Sequence, residues 1–147
     1  YARMNPPLRK EADRQALIAA LADGTLDMVA TDHAPHTAED KAREFAKAPA
    51  GITGLETAFS VCNTYLVQTG KLTPMQLVDR MSKTPAEIYG LTDRAVQAGN
   101  FARLVLLDWD TEKVYETYKS KGINTPYTGK PLVGSPRAIV TGSTVTE

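Results

Sequence analysis

The chain has 147 residues, of which 42% are apolar, and its 17 basic residues balance its 17 acidic ones. This balance gives no electrostatic reason to expect a nucleic acid or a membrane as a partner, and no apolar run could span a bilayer, so we expect a cytoplasmic protein. A complete (β/α)8 barrel takes about 250 residues and is excluded; because the chain also starts at Tyr1 rather than at a methionine, we expect a portion of a longer protein.

The N-terminal part is predicted to contain one helix and one strand. Apolar residues at helical spacing favour a helix from Glu11 to Ala22, and Asp23-Gly24 is a helix-stop signal. The apolar stretch from Leu26 to Thr31 then predicts a β-strand that ends at Asp32. This order of loop, helix and strand is typical of a repeating βα unit.

The middle of the chain is predicted to be helical. The charged segment Thr37 to Ala48 predicts an exposed helix or a mobile cover over the strand end. Leu55 to Thr69 predicts a longer apolar helix that holds the lone Cys62 as a small buried side chain. Two short helices are expected next, because Thr73 and Thr84 each precede a proline and stand three residues before Gln or Glu, as in a capping box.

Strands are predicted in the C-terminal part. Leu104 to Asp108 is a short apolar run, and Arg137 to Val145 predicts a hairpin with a Gly-Ser turn. The segment between them, Lys119 to Gly134, is rich in glycine and proline and predicts a loop. The change of pattern places a domain boundary near residue 92.

The strongest chemical signal is the stretch from Ala30 to His36, which holds Asp32 at the predicted strand end and both histidines of the chain. A carboxylate in that position needs a metal, a donor or water as its partner. The carboxyl ends of parallel strands also form the catalytic face of barrel enzymes. The alternative is a solvated turn that merely contains His33 and His36.

Four blocks of the sequence together resemble one family, the dihydroorotases, which are cyclic amidohydrolases of pyrimidine synthesis. In chain order these are the first motif, Met4-Asn5-Pro6-Pro7-Leu8-Arg9; the second, Ala30-Thr31-Asp32-His33-Ala34-Pro35-His36; the third, Ala48-Pro49-Ala50-Gly51-Ile52-Thr53-Gly54-Leu55-Glu56-Thr57; and the fourth, Asn124-Thr125-Pro126-Tyr127-Thr128-Gly129. The resemblance covers nearly the whole chain but only the C-terminal part of the family.

The resemblance implies an α/β fold made of the C-terminal part of an amidohydrolase (β/α)8 TIM-type barrel followed by strands of a β-sandwich. Residues 1–92 would supply the last βα units and the helices that follow them, and residues 93–147 the C-terminal strands of the sandwich. It also implies zinc-dependent interconversion of dihydroorotate and N-carbamoyl-aspartate, with two zinc ions per site. A small molecule is thus the expected ligand.

The resemblance assigns roles to five residues. Asp32 would be both a metal ligand and the catalytic general acid/base, because one carboxylate beside a metal-activated water can pass its proton to the leaving nitrogen. His36 would bind the substrate carboxylate, Asn5 the substrate ring, and the main chain of Ala50 and Gly51 the substrate.

Two further residues of these motifs are given no chemical role. His33 follows Asp32 directly, so in an extended backbone its side chain points the other way, and we expect it to pack or to support the site. Arg9 is expected to form an ion pair in the loop or at the start of the helix.

Two alternatives remain. The first is another cyclic amidohydrolase, namely a dihydropyrimidinase, hydantoinase or allantoinase. The second is a non-catalytic dihydroorotase-like subunit that supports aspartate transcarbamoylase, although the presence of Asp32 and His36 argues against it.

The chain by itself is expected to be inactive, because Asp32 is the only metal ligand that the resemblance assigns to it and zinc sites need three or four. We also expect apolar surface on the face of the helix Leu55 to Thr69, which would have lost the strands it covers, and at the sheet edge near Leu104 to Asp108, which would have lost its partners. Such surface favours a homo-oligomer or pairing with an N-terminal portion.

Overall fold

The computed structural model describes residues 1–91 and 96–147, so the predicted domain boundary near residue 92 lies outside the described residues. Helical segments precede a small antiparallel sheet. In chain order the helices are α1 (Glu11–Asp23), α2 (Ala38–Lys41), α3 (Ala58–Cys62), α4 (Pro74–Val78) and α5 (Thr84–Ile88), and the strands are β1 (Arg103–Val114), β2 (Pro131–Thr141) and β3 (Thr144–Thr146). Within the described residues, no helix is long and apolar enough to cross a membrane.

Helix α1 confirms the helix predicted from Glu11 to Ala22 and runs one residue further. The side chain of Asp13 accepts a hydrogen bond from the Lys10 N–H at 3.2 Å, which satisfies one of the free donors at the helix start. Gly24, with φ of +93°, ends the helix in the left-handed conformation that glycine adopts without strain. Leu21 is the buried residue of this helix, whereas Leu17 is 55% exposed.

The predicted strand Leu26 to Thr31 is wrong, because these residues form no regular strand. A strand requires a neighbour that pairs with its backbone. Within the described residues, the segment is instead held by isolated bonds, among them Val29 N–H to Arg80 O at 3.1 Å. The apolar residues of this segment favour a strand, but they do not by themselves provide a neighbouring strand to pair with.

The segment Thr37 to Ala48 is helical only over α2, which is capped by the Thr37 hydroxyl accepting the Asp40 N–H at 3.1 Å. The predicted helix Leu55 to Thr69 begins later, at Ala58, and passes from α3 into a π-helical turn, Asn63–Val67. Both predictions therefore placed helix in the right region but made it too long.

The two predicted short helices form one helical run, in which α4 is joined to α5 by the π-helical turn Asp79–Lys83. The capping box at Thr73 is confirmed. The one at Thr84 is wrong, since Thr84 has helical φ and ψ and its N–H bonds to the carbonyl of Asp79, five residues back. The wider turn carries the helix past Pro85, which has no N–H to donate.

The sheet has the order β1-β2-β3, and both pairs are antiparallel. The predicted strand Leu104 to Asp108 is confirmed but is only part of β1. The predicted hairpin is confirmed, with Gly142 in its turn at φ of +59°. The predicted loop Lys119 to Gly134 ends early, because β2 already begins at Pro131. Strand β1 pairs with β2 on one side, with an interruption between Asp108 and Glu112, and is an edge strand of the described sheet. Val105 and Leu106 are 53% and 55% exposed, in line with the expected open sheet edge with apolar surface.

The core lies where α3 and its π-helical turn pack on the sheet. The ring of Phe59 meets that of Trp109 edge to face, with centroids 5.0 Å apart. The Ser60 hydroxyl donates to the Gly134 carbonyl at 2.6 Å, and the Asn63 amide donates to the carbonyls of Trp109 and Val133, each at 2.9 Å. One face of this helical segment therefore does have a sheet to cover, contrary to the expectation, whereas the expected apolar surface is present at Leu55 and Tyr65, which are 64% and 45% exposed.

Four buried residues, Leu21, Phe59, Leu72 and Leu77, form the centre of this helix–sheet core. Cys62 packs against it, as predicted for a small apolar side chain. Burial raises the pKa of the Cys62 thiol, which keeps it neutral and unreactive at physiological pH.

Candidate functional site

Asp32 stands at a sharp turn of the backbone. Its φ is +43°, a conformation that aspartate tolerates better than most residues, and Ala34 N–H anchors the chain just beyond it to Ile52 O at 2.9 Å. The side chain is exposed and makes no hydrogen bond or ion pair with any residue that the structure describes. Its carboxylate is thus available to a ligand.

His33 faces the third motif instead. Its Nδ1 accepts the N–H of Gly54 at 3.1 Å and that of Leu55 at 3.3 Å, and its Nε2 lies 3.5 Å from the Ser120 hydroxyl. Because Nδ1 accepts, these contacts assign the proton of the neutral ring to Nε2. His33 packs and supports its surroundings, in line with the prediction.

His36 is joined directly to the third motif. Its Nε2 lies 3.0 Å from the carbonyl oxygen of Ala50, and its backbone N–H donates to Asn124 Oδ1 at 2.8 Å. A carbonyl only accepts, so Nε2 carries a proton. The half-buried ring therefore has Nδ1 left for a ligand, and it donates to an anion there when both nitrogens are protonated.

Gly51 occupies a place that a side chain could not fill. Its φ is +103°, and a Cβ there would lie 2.6 Å from the Cβ of Ala34. Its N–H donates to Arg3 O at 2.9 Å, and its carbonyl accepts from the ammonium of Lys41 at 3.0 Å. The loop that contains Ala50 and Gly51 is thus packed against the second motif, and its backbone is fixed from two sides.

The first motif lies at the margin of this cluster. Arg3 links it to the loop, both through its carbonyl and through a guanidinium bond to the Phe45 carbonyl at 3.1 Å. Asn5 is exposed, and its side chain makes no hydrogen bond within residues 1–91 and 96–147. Arg9 forms an exposed ion pair with Asp13 at 3.7 Å, as expected at a helix start. The structure therefore brings His36, Ala50 and Gly51 together, and among the described residues Asn5 has no side-chain hydrogen bond to any of the three.

A surface cavity of about 340 Å³ opens beside His36. Lys121 and Asp40 also line it. Asp40 is paired with Arg43 at 2.9 Å, which offsets its charge, whereas Lys121 adds a positive charge to the opening. The opening therefore presents one ammonium and one carboxylate beside His36.

Sequence reasoning missed the residues that hold the motifs together. Glu56 accepts the N–H groups of Lys119 and Ser120 at 2.8 and 2.9 Å. Asn124, which is 2% exposed, bonds to the second and third motifs. The only signal in the sequence that could have pointed to Asn124 is its position in the fourth motif. No sequence pattern shows which distant residues a loop contacts in the folded protein.

A metal ion would need more than this chain's described residues offer. Within residues 1–91 and 96–147, no group of three or more His, Cys, Asp or Glu side chains could hold a metal. Zinc sites require three or four ligands. The exposed carboxylate of Asp32 fits the part of one such ligand.

Comparison with known proteins identifies relatives over almost the whole length. The model of the amidohydrolase family matches residues 4–137. The dihydroorotase of Brevibacillus brevis is 52% identical over 136 residues, which cover 91% of this chain and 32% of the relative. The dihydroorotase of Bacillus subtilis is 48% identical over 140 residues, covering 94% of this chain and 33% of the relative. The chain therefore spans about a third of the length of the curated relatives it matches, in their C-terminal portion.

Solved structures with the same fold are titled hydantoinases. The L-hydantoinase (dihydropyrimidinase) of Arthrobacter aurescens superposes with a TM-score of 0.88 at 30% identity, over 97% of this chain and 33% of that one. The D-hydantoinase (dihydropyrimidinase) of a Thermus species gives 0.86 at 30% identity, over 98% and 33%. These likenesses confirm the predicted fold class, part of an amidohydrolase fold followed by strands of a small sheet.

Proposed function

The chain belongs to the amidohydrolase family, and from this premise we propose that it is the C-terminal third of a zinc-dependent dihydroorotase of pyrimidine synthesis. The whole enzyme would interconvert dihydroorotate and N-carbamoyl-aspartate. The observation that carries the proposal is the identity of 44–52% to dihydroorotases over about 95% of the chain. The bond between His36 and Ala50 supports it, because it joins two residues expected to contact the substrate.

His36, Ala50 and Gly51 are proposed to bind the substrate together. Nδ1 of His36 would donate to the substrate carboxylate while Nε2 stays bonded to the Ala50 carbonyl. A charge-assisted hydrogen bond of this kind is about twice as strong as a neutral one. The backbone of Ala50 and Gly51 would hold the substrate on one side, and Asn5 would reach its ring from the first motif.

Asp32 is proposed to hold zinc and to move the proton. When bound, zinc supplies two things: a water that ionises near neutral pH, and a positive charge that polarises the carbonyl to be attacked. The Asp32 carboxylate would accept the proton of the attacking water and return it to the ring nitrogen that leaves. The other ligands of the metal would come from other parts of the full-length enzyme, and the chain alone is predicted to be inactive.

We also propose the division expected from the sequence, with residues 1–92 in the barrel and residues 93–147 in the sandwich. The cytoplasmic location and the homo-oligomer, or the pairing with an N-terminal portion, stay predictions.

A hydantoinase or dihydropyrimidinase is the second candidate, because solved structures with these names share the fold at TM-scores of 0.88 and 0.86. Their identity of 30% is well below that of the dihydroorotases. Dihydroorotate carries a carboxylate, whereas dihydrouracil and hydantoin do not. The proposed donation from His36 Nδ1 to a carboxylate, with Nε2 held by Ala50, therefore favours dihydroorotate.

The test uses a full-length enzyme that carries this sequence, loaded with zinc and assayed with dihydroorotate, dihydrouracil and hydantoin. We expect turnover of dihydroorotate to exceed that of the other two by a wide margin. Asp32→Asn should remove nearly all turnover, because it removes a charge at the metal and the proton carrier. Asp27→Asn is the matched control, since Asp27 is an exposed carboxylate on the same segment.

The proposal would be wrong if hydantoin or dihydrouracil were the better substrate. It would also be wrong if Asp32→Asn kept more than a few per cent of the activity at saturating zinc. Full loss of activity in Asp27→Asn would show that any change in this segment is damaging, and the role given to Asp32 would then lose its support.

A further inference from the structure

The second and third motifs are joined through the side chain of one asparagine that lies far from both in sequence. Oδ1 of Asn124 accepts the backbone N–H of His36 at 2.8 Å. Its Nδ2 donates to the carbonyls of Ala34 and Gly51, at 2.9 and 3.3 Å. The backbone carbonyl of Asn124 also accepts the N–H of Thr53 at 3.1 Å. One buried residue thus bonds on both sides of Pro35 and on both sides of Ile52.

The rest of the clasp, as we call residues 119–125, packs in the same place. Glu56 accepts the first two N–H groups of the clasp. Gly122 lies so close to Pro35 that an added Cβ would come within 2.6 Å of the Pro35 Cβ. Asn124 is therefore delivered to the motifs by a segment that is itself held against them, so its bonds are not those of a freely moving side chain.

The three hydrogen bonds of the Asn124 side-chain amide all go to the main chain of predicted substrate-binding segments. The bond to His36 N–H fixes the backbone that carries the imidazole, and the bond to Gly51 O fixes the peptide next to Ala50. Because Ala50 O in turn holds His36 Nε2, both ends of that contact depend on the same asparagine.

We propose that Asn124 is a positioning residue for the substrate, acting through His36 on one side and the Ala50–Gly51 backbone on the other. The inference rests on the proposed function, in which these groups bind the substrate carboxylate and ring. It goes beyond that function by making recognition depend on a residue that touches neither substrate nor metal. Loss of Asn124 should therefore weaken substrate binding and leave metal binding and the chemical step nearly unchanged.

Asn63 provides a matched control. It is 0% exposed, and its amide also donates to two main-chain carbonyls, those of Trp109 and Val133. These bonds tie a helix to the sheet, and none of them reaches a motif loop. The two asparagines therefore match in burial and in donating to two main-chain carbonyls, but of the two only Asn124 contacts the predicted substrate-binding segments, where it also accepts the His36 N–H.

The experiment compares Asn124→Ala and Asn63→Ala in the full-length, zinc-loaded enzyme. For Asn124→Ala we expect the KM for dihydroorotate to rise about tenfold while kcat stays within about threefold, the signature of lost binding that is equal in the ground state and the transition state. Zinc content should match that of the unsubstituted enzyme. For Asn63→Ala we expect lower thermal stability and an unchanged KM.

Asn124→Asp serves as a second variant if the alanine variant does not fold. It keeps an oxygen acceptor for His36 N–H and nearly the same shape, but it turns the donor toward Ala34 and Gly51 into an acceptor that repels both carbonyls. The KM should again rise. An unchanged KM in a folded Asn124 variant, or an equal rise in Asn63→Ala, would overturn the positioning role.

Amide hydrogen exchange separates this inference from the proposed function. In Asn124→Ala the amide of His36 should exchange faster than in the unsubstituted protein, and in Asn63→Ala it should not. If the enzyme turned over hydantoin instead of dihydroorotate, the proposed function would fail, and the KM comparison would be made with that substrate. If the His36 amide exchanged at the same rate in Asn124→Ala, the bond on which the inference rests would not hold the loop, and the inference would fail whatever the substrate.

Discussion

The helix–sheet core and the motif cluster, meaning residues 31–36 and 49–56 with the clasp, are built by different means. The core uses regular elements and apolar burial, with Leu77 at 1% and Leu132 at 0% exposure. The motif cluster has almost no regular structure and is held by side chains that bond to main-chain groups. Burial of one leucine contributes about 1.5–3 kcal/mol, whereas one hydrogen bond contributes about 0.5–1.5 kcal/mol net.

The difference indicates a division of roles. Apolar contacts have no preferred direction, so they stabilise a fold without fixing where a particular carbonyl points. Hydrogen bonds contribute less but are directional, which suits loops whose backbone must meet a ligand. Substitutions in the core should therefore lower stability and spare substrate binding, and substitutions in the motif cluster should do the reverse.

The largest effect is expected from Leu77→Ala in the core. Removing a fully buried leucine side chain should lower the free energy of unfolding by about 2–5 kcal/mol, because it loses burial and leaves a cavity. Urea unfolding of the full-length enzyme measures this change, and Met75→Ala on the same helix, 67% exposed, is the control. A KM for dihydroorotate that changed as much as the stability would break the proposed division.

A smaller free-energy change, but a large change in affinity, is expected from His36→Ala in the motif cluster. Loss of a charge-assisted hydrogen bond corresponds to about 1.5–3 kcal/mol, and so to roughly a ten- to hundredfold weaker binding of dihydroorotate. Zinc content should stay at the level of the unsubstituted enzyme. Metal analysis that found the zinc lost would contradict the assignment of His36 to the substrate.

The smallest effect is expected from Asp108→Asn in the sheet. The N–H of Thr111 and the guanidinium of Arg137 hold the pKa of the Asp108 carboxyl well below its ordinary value of 3.8. A carboxyl with a lowered pKa adds stability above pH 3.8, and this contribution is lost as the pH falls through the folded-state pKa.

Asp108→Asn should therefore flatten the fall in unfolding free energy between about pH 5 and pH 2, which urea titrations at several pH values would show. Asp110→Asn is the matched control, because within the described residues the Asp110 side chain accepts no hydrogen bond, and it should change the curve less than Asp108→Asn does. A curve with the same slope in both variants would show that the bonds to Asp108 do not stabilise the fold. The KM at neutral pH should not change in either variant.

The sequence predicted the elements whose signals are local. Helix α1, the capping box at Thr73 and the turn at Gly142 depend on residues within a few positions of one another, and the structure has all three. The strand predicted at Leu26 to Thr31 failed because pairing depends on a neighbour. The second capping box failed because the helix continues through Thr84, where a π-helical turn replaces the expected break.

The site was predictable in part for the same reason. The motifs pointed to Asp32 and His36, whose roles stay predictions. The support given by His33 to its surroundings was expected from an extended backbone, whereas Asp32 has a φ of +43°. The roles of Asn124, Glu56 and Lys41 depend on contacts between distant segments or on how a loop folds back, so no local pattern carried them. The bond between His36 and Asn124 joins residues 88 positions apart.

The position of the clasp has a consequence for the order in which the molecule assembles. Residues 119–125 lie in the connection between β1 and β2, which are neighbouring antiparallel strands that a short turn could join. A longer connection costs more closure entropy. Here that cost is offset by the contacts that the clasp makes with the motifs. Because pairing of β1 with β2 brings both ends of this connection together, we expect the sheet to form before the clasp reaches the motifs. The loops proposed to bind the substrate would then take their final shape among the last parts of the protein to fold.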